Sequence, residues 1–359
     1  MAGDARQGAS IFAAIAADTP KANRGLSWAV TRRLLEVVDP DLTRRRVRTG
    51  LGNGLPLLET LHAADLAERR YGAEDPDADP GRVLVYEPGL TRSLGFAARA
   101  SSELPLLIRS AWDGQPREIG HGRHRVEQHH IGVVAHATVE QLAQRLSLTG
   151  ASVGFVNRFV YVLARRQRSL VDEGHVPPAL VASHGRALSD KLALARRVEL
   201  VGRSPAAERR WQAAYDAMAG DDPGGLLGIM VARAARHALR MSLVYALAAG
   251  SSRIERPHVE AALALWAYCR RSAAIIASCA PSASTDLAER LLAAVEAAGD
   301  EGLSLSEQLD VFGRNVPAGR LRAARRSLEE AGLVTTTTER RGAGRPASVT
   351  RRTGPATAR

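Results

Sequence analysis

The sequence is poor in aromatics, 4% of 359 residues, and it holds only two lysines, Lys21 and Lys191. Its core must therefore be built from Leu, Val and Ala, and nearly all of its positive charge sits on arginine. Cysteine is scarce too: Cys269 and Cys279 are the only two, without metal-ligand spacing. That excludes a disulfide framework and reads as reduced thiols in a cytoplasmic protein. No uninterrupted apolar run approaches the roughly 20 residues of a membrane span. The N-terminus lacks the basic-then-apolar layout of a secretion signal, so no membrane partner is expected. What is present is length enough for two or three domains, 45% hydrophobic residues and a formal charge of +11. A basic surface attracts nucleic acid or anionic lipid.

Three compositional zones follow one another. Residues 1–170 alternate apolar strands with helical patterns, the signature of an α/β parallel sheet. Strands are expected at Ser10–Ala16, Val83–Tyr86, Ile131–Ala135 and Phe159–Leu163, with a helix over Trp28–Val38. Residues 171–283 read as a helical extension, with long Ala/Leu/Arg helices at Gly228–Ala249 and Arg256–Ser278. Pro257 suits a first helical turn. Residues 284–359 read as a winged helix with a basic tail: helices at Asp286–Ala298, at Ser304-Leu305-Ser306-Glu307 with capping-box spacing, and at Pro317–Ala331, then a hairpin through Val334–Thr338 and Ser348–Thr350.

The most informative stretch is Arg82-Val83-Leu84-Val85-Tyr86-Glu87-Pro88, a buried strand ending in a lone acid. An acid at the C-terminal tip of such a strand stands where α/β sheets bind ligands. In nucleoside triphosphatases an acid there orders Mg²⁺ or polarises the attacking water. Helix capping is the bland alternative for Glu87.

Taken with Ala17-Asp18-Thr19-Pro20-Lys21-Ala22-Asn23-Arg24-Gly25-Leu26-Ser27-Trp28, Leu107–Gly114, His130–Thr138 and Gly154–Phe159, this strand carries a family resemblance. In order and spacing these segments resemble a RecA-like P-loop ATPase/helicase domain of phage- and plasmid-type replication proteins, often attached to a DNA primase/polymerase module. The resemblance implies a RecA-like core, ATP and Mg²⁺ as cofactors, DNA (single-stranded or non-specifically bound) as partner, a homo-oligomeric ring and a separate primase module. The chain departs from the family's pattern in several places. Ala17 stands where a Gly is typical, and Asn23-Arg24-Gly25-Leu26-Ser27 replaces Arg-Lys-Gly-Thr-Ser, so the phosphate loop lacks its lysine. Gly52-Asn53-Gly54-Leu55 replaces Ser-Gly-Glu-Gly, and Gly89 replaces a second acid. The chain begins immediately before its first strand, which reads as a truncated gene, a misassigned start or one half of a split protein.

Within the resemblance, Thr19, Lys21, Arg24, Gly25 and Ser27 are the candidate nucleotide-binding residues, backbone N–H groups and a helix N-terminus meeting the phosphates. Ser27 and Glu87 are candidates for Mg²⁺, and Ser27 can equally cap the helix. His136 is a candidate γ-phosphate sensor or a hydrogen-bonded loop residue. His121, His124, His129 and His130 lie near it with no Cys or acid at zinc spacing. Arg158 is the candidate arginine finger acting on a neighbour's nucleotide, with a structural ion pair as its competitor. Asp113 is a lesser active-site candidate. Arg233, Arg236 and Arg240 recur at helical spacing, as a solvated face or a nucleic-acid track. Arg320, Arg322, Arg325, Arg326, Arg340, Arg341 and Arg345 are the expected DNA contacts. Two functions stay open: a nucleic-acid-dependent ATPase in mobile-element replication, and a degenerate or truncated relative serving as a DNA-binding or adaptor protein.

Overall fold

The computed structural model describes residues 8–17, 24–52, 54, 57, 59–62, 82–99, 102–115, 117–119, 124–126, 130–148, 153–165, 176–280, 283–313, 316, 318–340 and 346–353. The chain divides into two compact units, Met1–Ala280 and Pro281–Arg359. In the first, β1 (Phe12–Ala17) is followed by α1 (Arg24–Val38), β2 (Val47–Thr49) and β3 (Arg82–Glu87). Next come α2 (Leu90–Ala97), α3 (Leu104–Asp113), a small hairpin of β4 (Arg117–Ile119) and β5 (His124–Val126), and β6 (His130–Thr138). After α4 (Val139–Leu148) and α5 (Val153–Val156), β7 (Phe159–Ala164) ends the sheet. The rest of the unit is α6 (Pro178–Ala195), β8 (Gly202–Arg203), α7 (Pro205–Ala219), α8 (Gly225–Val231), α9 (Ala234–Ala248), β9 (Arg253–Ile254) and α10 (Arg256–Ser278).

The main sheet has the order β2-β3-β6-β1-β7 with every pair parallel. This is an α/β fold with a five-stranded parallel sheet and many helices, consistent with a RecA-like core. The central strands are apolar because both of their faces are covered: Phe12, Val83, Val85, Ile131, Val133 and Phe159 are all buried. From β1 the chain crosses toward β2, and from β6 it crosses the other way, past β1, to β7. Right-handed crossovers in opposite directions put α1 on one face and the helices between β3 and β7 on the other. Neighbouring side chains of β3 bear this out, since Tyr86 stacks on Trp28 of α1 while Glu87 bonds Ser93 of α2.

The helical segment is built into the same unit. At the sheet edge, the Leu163 N–H of β7 donates to Ser272 Oγ of α10 at 3.1 Å, and the Tyr268 hydroxyl donates to the Leu163 carbonyl. Side chains of α10 thus satisfy backbone groups that an edge strand would leave open. On the α1 face, a Cβ at Gly185 of α6 would lie 2.5 Å from Val37 Cγ1, so only glycine lets these helices approach so closely.

Two expected elements change shape. The helix expected from Trp28 begins a turn earlier, at Arg24. The single helix expected over Gly228–Ala249 is two, α8 and α9, because Arg233 leaves helical geometry (φ −117°, ψ 28°). β2 was not expected; its three residues, Val-Arg-Thr, carry no apolar alternation.

The second unit contains α11 (Ala283–Ala297), β10 (Leu303–Ser304), α12 (Leu305–Val311), α13 (Ala318–Glu330), β11 (Val334–Glu339) and β12 (Ala347–Arg352). Its antiparallel sheet has the order β10-β12-β11. The capping box forms as the Ser304/Glu307 spacing requires: Ser304 Oγ accepts from Glu307 N, and Glu307 Oε2 accepts from Ser304 N. Gly332, at φ +70°, ends α13 in the left-handed turn that favours glycine. Leu287, Leu291, Val295, Phe312, Leu321 and Leu328 form a core separate from that of the first unit.

Candidate functional site

In an open parallel sheet the ligand crevice lies outside the carboxyl ends of the strands, where the winding direction reverses. Here that point falls between β1 and β6, with β3 next to β6. The end of β1, the first turn of α1, Glu87 and the last residues of β6 all meet at this carboxyl edge. An aromatic ladder fixes it: the Trp28 and Tyr86 rings stack at 4.2 Å and 2°, and Tyr86 meets the His136 ring edge-on at 5.7 Å. The ladder pins α1 to the strand that carries the acid.

Glu87 is buried and heavily engaged. Its Oε2 accepts from the Leu51 N–H at 2.7 Å and from the Ser93 hydroxyl at 2.7 Å, and its Oε1 accepts from the Gly89 N–H at 2.9 Å. Gly89 is the residue that opens α2, so Glu87 caps that helix's approach and also ties down the loop after β2. A carboxylate has about four acceptor positions. Among the described residues three are used, and the fourth is on Oε1.

Thr19 and Lys21 lie outside the described residues, as does the side chain of Arg24. Gly25 and Ser27 are exposed in the first turn of α1. His136 lies two residues inside the end of β6 and is buried against Tyr86. Among the described residues, no group of three His, Cys, Asp or Glu is arranged to hold a metal ion. No helix among them is long and apolar enough to cross a membrane.

Arg158 sits elsewhere, and its geometry does not suit a finger. It is 2% exposed, its Nη2 donates to Asp113 Oδ2 at 2.7 Å, and its Nη1 donates to the Gly154 and Asn157 oxygens. It immediately precedes β7, at the amino edge of the sheet, opposite Glu87. A guanidinium buried in its own chain cannot reach a neighbour's nucleotide without leaving these bonds. The structural ion pair is the reading that fits, and Asp113 is its partner.

The Arg233/Arg236/Arg240 stripe is a solvated face only at Arg236, which is exposed; Arg233 is half-buried and Arg240 is 3% exposed. In the second unit, Arg322 and Arg326 are exposed on one side of α13, as is Arg340 after β11. Arg325 turns inward to Glu329 at 3.6 Å. The side chain of Arg320 and all of Arg341 and Arg345 lie outside the described residues.

Sequence reasoning missed Ser93 and the Leu51 N–H as partners of Glu87. Ser93, in the first turn of the helix that follows the acid, carried a usable signal, since a hydroxyl there can turn back to the strand tip. Leu51 carried none, being a backbone donor from a distant loop.

No family model and no curated protein matches the chain. Among solved structures, a full-length MCM homolog from Methanopyrus kandleri is similar at 14% identity and a TM-score of 0.35, over 71% of this chain and 57% of that one. The chain thus spans a little over half the length of that structure. Nothing about function rests on so slight an overlap; the bearing facts are the strand order and the groups at its carboxyl edge.

Proposed function

We propose that the first unit is a RecA-like nucleotide-binding domain and the second a DNA-binding winged helix, together forming a nucleic-acid-associated ATPase-type protein. The observation that carries this reading is the strand order. With β6 inserted between β1 and β3, the end of β1, the start of α1 and the acid of β3 border the switch point where such folds bind ligands. The groups there fit Mg²⁺ and a triphosphate in part. Gly25 and Ser27 in the first turn of α1 and the remaining acceptor of Glu87 would hold the phosphates and metal, with Lys21 and Arg24 supplying cations. The bound ion would neutralise charge developing on the transferred phosphoryl group. The chain's own part is to hold the acid rigidly, through Leu51, Gly89 and Ser93, against a helix fixed by the Trp28–Tyr86 stack.

Replication of a mobile element, assembly into a ring and a separate primase partner extend this reading. For a ring, any trans-acting arginine would have to be one other than Arg158. A fluorescent ATP analogue with Mg²⁺ tests binding, and phosphate release with and without single-stranded DNA tests turnover. We expect saturable binding, and release that DNA stimulates. Failure to bind would sink the reading; binding without release above Glu87→Gln would remove the motor and keep the fold's ligand.

A second reading has its own support. The three bonds of Glu87 within its own chain are what a degenerate relative would retain for structure alone. In that case DNA binding survives without any nucleotide effect. For the second unit, Arg322→Ala with Arg326→Ala should flatten the salt dependence of DNA binding by about 0.7–0.9 per lost phosphate contact. An unchanged slope would mean that α13 serves protein contact instead.

A further inference from the structure

At the amino edge of the sheet, three residues or about 10 Å along the strands from the level of Glu87 at Arg158, arginines gather around one carboxylate and one indole. Trp112 and Asp113 end α3. The guanidinium carbons of Arg240, Arg158 and Arg233 lie 3.6, 5.5 and 5.5 Å from the Trp112 ring centroid. Asp113 Oδ2 pairs with Arg158, and its Oδ1 pairs with Arg236 at 3.4 Å. Arg109 completes the group. Its stem lies over Gly154, where a Cβ would come within 2.5 Å of Arg109 Cδ, and the Gly154 carbonyl also accepts from Arg158.

Among the described residues, five guanidinium groups therefore gather around a single carboxylate. The neighbouring His237 adds no charge: its Nε2 donates to the Asn157 carbonyl at 3.0 Å, and burial holds its pKa down at about 4. Arg158 and Arg240 are almost wholly buried, yet among the described residues each has an Nε without a hydrogen-bond acceptor, as do Arg233 and the Trp112 indole. Buried donors and like charges in this number are costly unless an anion joins them. Asp113 supplies one negative charge and occupies only two of the arginines directly. Access is from the side of Arg109 and Arg236, both exposed, with Arg233 half-buried behind them.

We propose that this cluster is an oxyanion site for a phosphate group, distinct from the crevice at the carboxyl edge. Phosphate suits it because a tetrahedral dianion accepts from several guanidinium forks at once, and arginine is the side chain best shaped for that. The phosphate comes either free or on a nucleotide, or as part of a polynucleotide backbone. Arg236, Arg233 and Arg109 would be its first contacts. Asp113 is a positioning residue, fixing Arg158 and Arg236 and limiting the site's net charge.

The test is thermal melting of the full chain in sodium phosphate against sodium chloride at matched ionic strength. Phosphate should raise the melting temperature by about 3–5 °C more than chloride at a large excess over Kd. Arg236→Ala and Arg233→Met should each abolish that difference, while Lys21→Ala, which removes a candidate nucleotide-binding cation instead, should keep it. Gly154→Ala should weaken it severalfold by displacing the Arg109 stem while leaving the fold intact. Equal effects of the two salts would overturn the proposal. So would a phosphate response lost in Lys21→Ala but kept in both arginine variants. Single-stranded DNA then separates the sources. Weaker binding with a salt slope lower by about 0.7 in Arg236→Ala identifies a polynucleotide phosphate; unchanged DNA binding alongside the lost phosphate response identifies a free phosphate or nucleotide.

Discussion

The two edges of the main sheet handle buried charge in opposite ways. At the carboxyl edge one carboxylate, Glu87, is matched by two backbone N–H groups and a hydroxyl, so its charge is spread into fixed dipoles of the chain. At the amino edge five arginines gather near Asp113, which pairs with two of them, and among the described residues several of their donors face no acceptor. The first arrangement is nearly complete within the chain; the second is a surplus of one sign. A surplus held in a folded interior is paid for elsewhere in the structure, and such sites are where ligands of the opposite charge belong. The edges should therefore respond differently to neutralisation: removing charge from the complete one costs stability, and removing charge from the surplus one adds it.

The largest effect is expected at the complete edge. Glu87→Ala orphans the buried Leu51 N–H and releases Gly89 and Ser93, at a cost of about 4 kcal/mol. Glu87→Gln should cost roughly half as much, because an amide oxygen accepts but its NH₂ opposes one of the facing N–H donors. Urea denaturation measures both. A loss below roughly 1 kcal/mol in Glu87→Ala would show that the carboxylate is not structurally committed and is free for chemistry. The expected cost also bears on the activity test: a silent Glu87→Gln is informative only where its melting curve shows a folded protein.

The carboxyl edge was legible in the sequence to the extent that it is local. Strand, acid and helix stand within twelve residues of one another, from Arg82 to Ser93, and apolar content with flanking Gly and Pro marks the strand. The Ser304/Glu307 capping box and the Arg256–Ser278 helix were equally plain, being set by spacing alone. The amino edge was not legible, because it is assembled from Trp112, Arg158 and Arg240, which are far apart in the chain. Helical spacing on its own made Arg233, Arg236 and Arg240 a solvated face or a nucleic-acid track. What turns Arg240 inward is the indole opposite it, which has no sequence signal. For Arg158 the position before a strand left both finger and ion pair open, because its distant partner Asp113 was not visible.

The next effect in size belongs to His237 and is a dependence on pH. It is sandwiched between the Trp266 ring, stacked at 5.6 Å, and the edge of Trp112, with Arg158, Arg233 and Arg240 facing it and Asp113 nearby. Burial foremost, and then those cations, lower its pKa from 6.5 to about 4. Between these two values the unfolded chain binds the proton and the folded chain does not. Stability from this group is therefore complete above about pH 6.5 and is lost as pH falls toward 4, on the order of 3 kcal/mol in all. His237→Gln, which can still donate to the Asn157 carbonyl, should lose less stability than the parent between pH 7 and pH 4.5. Carboxylates titrate alike in both proteins, so the difference between them reports the imidazole. Parallel pH profiles would place His237 in a wetter setting than its burial indicates.

The smallest effect has the sign that separates the two edges. Arg233 is half-buried, its Nε has no acceptor among the described residues, and its pKa is lowered first by burial and then by Arg158. Replacing it by Met keeps most of the stem's packing against Trp112 and removes one of five like charges, so Arg233→Met should stabilise the protein by about 1 kcal/mol in a phosphate-free buffer. A gain in the urea midpoint with an unchanged slope would show that the native state itself was relieved of strain. A loss instead would mean that the cation over the indole is worth more than the repulsion it suffers, and the amino edge would then be as self-sufficient as the carboxyl one. Because added phosphate should stabilise the parent and leave the variant unmoved, the order of the two midpoints should reverse as phosphate is raised. Loss of packing alone would lower the variant's midpoint at every phosphate concentration and could not produce that crossing.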